Sequence, residues 1–103
     1  MSEAREATRL DKWLWYARIV KTRSLAAAMV ESGAVRVNAT RVTKPATPVR
    51  VGDGLSFALG GQVRVLRVRA LGLRRGPATE ARALYDDLDA AAGGEPGPVT
   101  AGS

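Results

Sequence analysis

Residues 9–38 read RLDKWLWYARIVKTRSLAAAMVESGAVRVN, and the hydrophobic period changes within this stretch. Leu10, Trp13, Leu14, Ala17 and Val20 recur at helical spacing, so residues 9–20 are expected to form a helix with one apolar face. Thr8 stands where a capping residue would. Asp11, three residues later, makes a weak capping box and suits the positive end of the helix. Lys12, Trp15 and Arg18 fall on the opposite face. A second helix is expected from around Thr22–Ser24 to Ser32, burying Leu25, Ala26, Met29 and Val30, with Gly33 as its left-handed C-terminal cap. Only Lys21-Thr22-Arg23-Ser24 separates the two helices, so they must pack as a tight pair. Beyond Gly33 the period falls to two. Val35 and Val37 alternate with Arg36 and Asn38, the pattern of a strand with one polar face.

The rest of the chain reads as a small sheet and a short helix. Pro45 and Pro48 mark a loop that resists helix. Val49-Arg50-Val51 leads into a turn at Gly52-Asp53-Gly54, and Leu55, Phe57 and Leu59 alternate as a strand. Gly60-Gly61 is a tight hairpin turn. The return strand runs from Val63 to Leu71 with Arg64, Arg67 and Arg69 outward. Val65-Leu66 breaks its alternation, so a bulge or one exposed leucine is expected. Pro77-Ala78-Thr79-Glu80 opens a third helix whose apolar side is Ala81, Leu84, Tyr85 and Leu88. The expected fold class is α+β: a helix–helix–strand module, a small, mostly antiparallel sheet and a short C-terminal helix. Residues 1–8 are expected to be flexible, 9–88 to form the domain with 9–57 as its core module, and 89–103 to be a disordered Gly/Pro-rich tail.

Charge is unevenly distributed. The first 76 residues hold fifteen Lys/Arg against five acids, whereas residues 77–103 hold Arg82 against five acids. Such an excess on one part of a 103-residue chain is the footprint of a polyanion binder. The chain has no His and no Cys. The commonest general base, thiolate nucleophiles and zinc–sulfur sites are therefore excluded. Asp11, Glu31 and Asp53 are too scattered to make an acid/base pair or a metal cage. No enzyme activity, cofactor or metal is expected. No apolar run approaches a membrane span, the charged N-terminus is no secretory signal, and the absence of Cys fits the cytosol.

The cations have a pattern of their own. The start of the second helix offers unpaired amides and the positive dipole end, surrounded by Lys21, Thr22, Arg23 and Ser24, a natural phosphate cradle. Arg9 and Lys12 lie a turn apart on the first helix, and Arg36, Asn38, Arg41 and Lys44 follow on the strand and its loop. Together they form one face able to track a nucleic-acid backbone. Any one of these cations alone is as readily a solvated surface charge; number and placement distinguish them. Trp13 belongs to the core. Trp15 is the better candidate for base stacking or a partner contact, with packing on the third helix as the plainer role. The turn glycines lack the spacing and the following Lys of a nucleotide loop.

The segments Arg9-Leu10-Asp11-Lys12-Trp13-Leu14-Trp15, Lys21-Thr22-Arg23-Ser24-Leu25-Ala26 and Gly33-Ala34-Val35-Arg36-Val37-Asn38 resemble the S-four-type (αL) RNA-binding domain. The Val49–Leu55 segment with its Gly-Asp turn fits the same pattern. Within that family the Trp-rich first helix and the segments 74–81 and 84–85 are similar to the ribosome-associated heat-shock protein fifteen group. The resemblance covers residues 9 to about 88. It implies that Arg9, Lys12, Lys21, Thr22, Arg23, Ser24, Arg36 and Asn38 meet RNA. It further implies a ribosomal partner, the large subunit carrying a stranded nascent chain on tRNA, which such proteins help to recycle. The sequence departs from the family at Ala39-Thr40, where Gly usually follows the Asn, at Gly76, and in its acidic C-terminal end. The expectation is a cytoplasmic, non-catalytic RNA-binding protein, monomeric in isolation, with no membrane partner. Alternatives are a non-catalytic accessory of an RNA-modifying enzyme, a basic DNA-binding module, and a protein-interaction domain using the Trp15 face. The second helix, with Leu-Ala-Ala-Ala after Arg23, is a poor surface for reading a major groove.

Overall fold

The first helix ends a turn earlier than its hydrophobic period. In the computed structural model, which describes residues 6–88, α1 spans Leu10–Tyr16 and stops because Arg18 adopts φ 58°. The amides of Arg18 and Ile19 bond back to the carbonyls of Trp15 and Leu14, at 3.1 and 3.0 Å, which satisfies the last turn as a left-handed cap. α2 (Arg23–Glu31) closes in the same way with Gly33 at φ 81°, its amide on Val30 and that of Ala34 on Met29. The expectation for α2 holds at both ends: the Thr22 side chain caps it by accepting from the amide of Leu25 at 3.1 Å. Its buried side is narrower than expected. Ala26 and Val30 are buried and Met29 partly so, but Leu25 is 51% exposed.

Thr8 does not cap α1. It belongs to β1 (Thr8–Arg9), which pairs antiparallel with β4 (Pro48–Val49), and Arg9 is the N-cap residue with no side-chain capping bond. The amides of Leu10 and Asp11 are instead taken up by the carbonyls of Thr47 and Pro45, at 2.8 and 3.1 Å. The 44–47 turn thus does the work expected of a cap. Thr47 closes that turn by bonding the Lys44 carbonyl through both its amide and its hydroxyl.

The main sheet has five antiparallel strands in the order β3-β2-β5-β6-β7, comprising β2 (Val35–Val37), β3 (Thr40–Val42), β5 (Gly54–Leu59), β6 (Gln62–Val68) and β7 (Tyr85–Asp87). With α3 (Ala78–Arg82) the architecture is α+β. The β5–β6 register is one for one from Gly54↔Arg67 to Leu59↔Gln62, so no bulge forms at Val65-Leu66. Leu66 and Val68 face the core, and Val63, 63% exposed, is the outlying apolar residue in place of a leucine. That parity puts Arg64 on the core side of β6, so it is not outward as Arg67 and Arg69 are. The helical period read through Leu84, Tyr85 and Leu88 also fails. α3 stops at Arg82, and Tyr85–Asp87 adds an edge strand to β6.

Leu10, Trp13, Leu14, Ala26 and Val30 of the helices pack on Val35, Val49, Leu55, Phe57, Leu66 and Val68 of the strands. Trp13 is fully buried, donates Nε1–H to the Ala70 carbonyl at 2.9 Å and meets Tyr85 edge-on at 6.2 Å. Among the described residues no helix is long and apolar enough to cross a membrane. The tail expected over residues 89–103 and the first five residues lie outside the described residues.

One turn stores backbone strain. Asn38 and Ala39 join β2 to β3 as a two-residue hairpin with φ 51° and 71°, and Val37 faces Thr40 across it. Two positive φ values suit Asn-Gly, because only glycine escapes the steric cost there. Ala39→Gly should therefore stabilise the fold by about 1 kcal/mol, the left-handed penalty less the added chain entropy. A thermal melt should rise by about 4 °C; an unchanged or lower midpoint would mean the turn is unstrained.

Candidate nucleic-acid interface

Asp11 organises the first group of cations. It is the one buried charged residue among the described residues, 4% exposed, at the first turn of α1. Arg9 Nε and Nη2 donate to its two carboxylate oxygens, each at 3.1 Å. Arg23 Nη2 approaches the same carboxylate at 3.6 Å from the start of α2. The carboxylate also accepts the Lys12 amide at 2.7 Å. Two guanidiniums from separate elements thus share one acid while remaining about half exposed, at 52% and 43%. Lys44 sits in the turn whose carbonyls cap α1, which places it by the same helix start. Lys21, Thr22 and Ser24 are exposed around the start of α2, and the Thr22 hydroxyl is already committed as the cap. Lys12 rests 6.0 Å from the centroid of the Tyr16 ring.

A second group lies past the other end of α2, a helix roughly 14 Å long at 1.5 Å per residue. Arg36 and Arg41 stand directly opposite each other on β2 and β3. Like charges in that position are destabilising unless something offsets them. Arg41 is anchored by donating Nε–H to the Gly33 carbonyl at 3.1 Å. A Cβ at Gly33 would stand 2.7 Å from that guanidinium, so Gly33 supplies both the left-handed cap and the room for Arg41. Asn38 is built differently. Its amide nitrogen donates to Asp53 at 3.0 Å, and its side-chain oxygen accepts from the Gly54 amide at 2.9 Å. Its side chain thus latches the β2–β3 hairpin to the turn before β5.

The sequence reading missed Asp11 as an organiser, since an acid at the first turn of a helix carries an ordinary dipole explanation. It also left the cations of residues 64–75 undivided. Arg64 pairs with Asp87 at 2.8 Å, Arg69 with Asp86 at 3.4 Å and Arg74 with Glu80 at 3.0 Å. Burial lowers the Arg64 pKa, but its bonds to Asp87 and Tyr85 outweigh this and hold it above the ordinary value. The acids of α3 and β7 therefore neutralise these three arginines locally, while exposed Arg67 on the same strand as Arg64 has no ion pair among the described residues. By contrast Lys12, Lys21, Arg36, Arg41 and Lys44 have no ion pair among the described residues. Trp15 is tied into the C-terminal segment: its carbonyl accepts Arg75 Nε–H at 3.2 Å and its ring lies 5.8 Å below the Arg75 guanidinium. Arg18 reciprocates, donating Nε–H to the Gly76 carbonyl at 2.7 Å. A Cβ on Gly76 would meet the carboxylate end of the exposed Glu80 side chain, which is free to swing aside.

A small α+β domain with an exposed, largely unneutralised cationic face defines a class, the compact modules built on a basic helix pair. The S4 domain family model matches residues 8–55. The chain is 44% identical over 79 residues to Heat shock protein 15 of Escherichia coli, covering 77% of this chain and 59% of that protein. It therefore spans less than two thirds of that curated relative's length. It is 35% identical over 63 residues to the RQC P-site tRNA stabilizing factor of Listeria monocytogenes, covering 61% of this chain and 67% of the relative. The trimeric structure of Vibrio cholerae Heat Shock Protein 15 superposes with a TM-score of 0.75 at 41% identity, covering 80% of this chain and 82% of that one. The chain belongs to the heat shock protein 15 family of S4-domain proteins.

Proposed function

We propose that the protein binds structured RNA, specifically ribosomal RNA of the large subunit, and assists recycling of stalled subunits that carry a nascent chain on tRNA. It does so by phosphate contacts and shape, with no chemistry at the site, as a cytoplasmic protein. The observation that carries this reading is the partition of charge pairing. The C-terminal arginines 64, 69 and 74 are each matched by an acid, while Arg9 and Arg23 share the single carboxylate of Asp11 and Lys12, Lys21, Arg36, Arg41 and Lys44 have no ion pair among the described residues, a surplus open to an external polyanion. The names of the relatives point the same way: one is a heat shock protein and another a factor that stabilises P-site tRNA. The contacts proposed are Arg9, Lys12, Lys21, Thr22, Arg23, Ser24, Arg36, Arg41 and Lys44, with Asn38 shaping the hairpin that presents two of them. The protein is read as a monomer in isolation, although the solved Vibrio relative is trimeric; its mass by light scattering decides this.

Two measurements test the reading. In a sucrose gradient of stressed-cell lysate the protein should travel with the large ribosomal subunit, and recovery only at the top of the gradient would overturn it. Between four and seven phosphate contacts should also give a log–log salt slope of about −3 to −6 for structured RNA. A flat salt response would rule out binding through the backbone.

A further inference from the structure

We propose that Asp11 is a positioning residue: it converts Arg9 and Arg23 from two independent surface cations into one fixed clamp for a single phosphodiester. The proposal rests on the RNA-binding reading and assigns one of its contacts a mechanism. An acid inside a cationic face is unfavourable for a polyanion on charge alone, so its presence needs a reason. A buried carboxylate also costs desolvation, which is offset only by well-made hydrogen bonds. Asp11 has three, two from Arg9 at 3.1 Å and one from the Lys12 amide at 2.7 Å, and Arg23 adds an ion pair at 3.6 Å.

What the carboxylate holds is informative. Arg9 precedes α1 and Arg23 opens α2, so neither is placed relative to the other by local structure. Two guanidiniums brought side by side would repel, and each free side chain would lose rotamer entropy on meeting a phosphate. Pairing both with one buried anion, Arg9 by two hydrogen bonds and Arg23 by an ion pair, offsets the repulsion and restrains the rotamers before RNA arrives. A guanidinium has five N–H donors in a rigid fork. Arg9 commits two to Asp11, leaving three, and both side chains remain about half exposed. The cluster keeps a net charge of +1 with outward donors, which suits one phosphate.

Simple electrostatics and positioning predict opposite signs, which makes the test sharp. Asp11→Asn raises the net charge from +6 to +7, so diffuse attraction predicts tighter binding to a structured RNA hairpin. Positioning predicts binding weaker by about tenfold, the equivalent of one charge-assisted hydrogen bond, and a salt slope shallower by about one. In the Arg9→Ala/Arg23→Ala background the same substitution should change affinity less than about twofold, because energies couple only within a shared network. A full tenfold loss in that background would reveal a merely structural role. Arg9→Lys covers the case in which Asp11→Asn fails to fold. It keeps the charge on an exposed residue but cannot make the two-point fork. It should lose most of what Arg9→Ala loses, and wild-type binding by Arg9→Lys would overturn the clamp. If Arg9→Ala and Arg23→Ala leave affinity unchanged, the RNA-facing role of this cluster fails as well. If they weaken binding while Asp11→Asn strengthens it, only the positioning role is lost.

Discussion

Trp13→Ala should lower the free energy of unfolding by about 3–5 kcal/mol, enough to unfold much of a marginally stable domain. Trp13 is fully buried, and it joins elements remote in sequence. Its ring meets Tyr85 of β7 edge-on, and its Nε1–H satisfies the carbonyl of Ala70. Truncation would leave a cavity between the helix pair and the sheet and orphan that carbonyl. Chemical denaturation monitored by circular dichroism measures the loss. Trp15→Ala, two residues away, should cost clearly less. Trp15 is only half-buried, packed against Tyr16 and under Arg75, and its bond to Arg75 uses the backbone carbonyl, which alanine keeps. If Trp15→Ala were the costlier substitution, the assignment of the α1 faces would be wrong.

The largest effect on binding is expected at the start of α2. Combining Lys21→Glu with Arg23→Gln should reduce affinity for structured RNA by about 100-fold at low salt, as loss of two charge-assisted contacts would. Glutamine is chosen at position 23 because glutamate there would set a second carboxylate against buried Asp11. The helix should survive, since its Thr22 cap is untouched. The matched control is Arg64→Gln with Arg69→Gln on the hairpin. Both arginines already face acids, Asp87 and Asp86, so their removal should cost less than about threefold in affinity. Equal losses at the two places would mean diffuse attraction without a site.

Periodicity and composition alone determined the helix pair, the switch to a strand after Gly33, the Gly60-Gly61 hairpin, the α+β class and the segregation of charge. These follow from preferences that act between near neighbours, where one face must be apolar and one residue type tolerates positive φ. Tertiary structure decided the rest. Val20 continues the apolar period of α1, yet the helix ends at Tyr16 because Arg18 adopts a left-handed conformation and its guanidinium is held by the Gly76 carbonyl, 58 positions away. Tyr85 fits a helical stripe as well as a strand, and the free edge of β6 selects the strand. Leu25 has the spacing of a core residue, but among the described residues no element is laid over that side of α2, and it stays exposed. Asp11 has the spacing of a helix-dipole acid, but the approach of Arg9 and Arg23 makes it the centre of a cationic cluster. In each case the local pattern allowed several outcomes of similar energy. A hydrogen-bond partner or a neighbouring surface distant in sequence chose among them, and such partners leave no periodic trace in the chain.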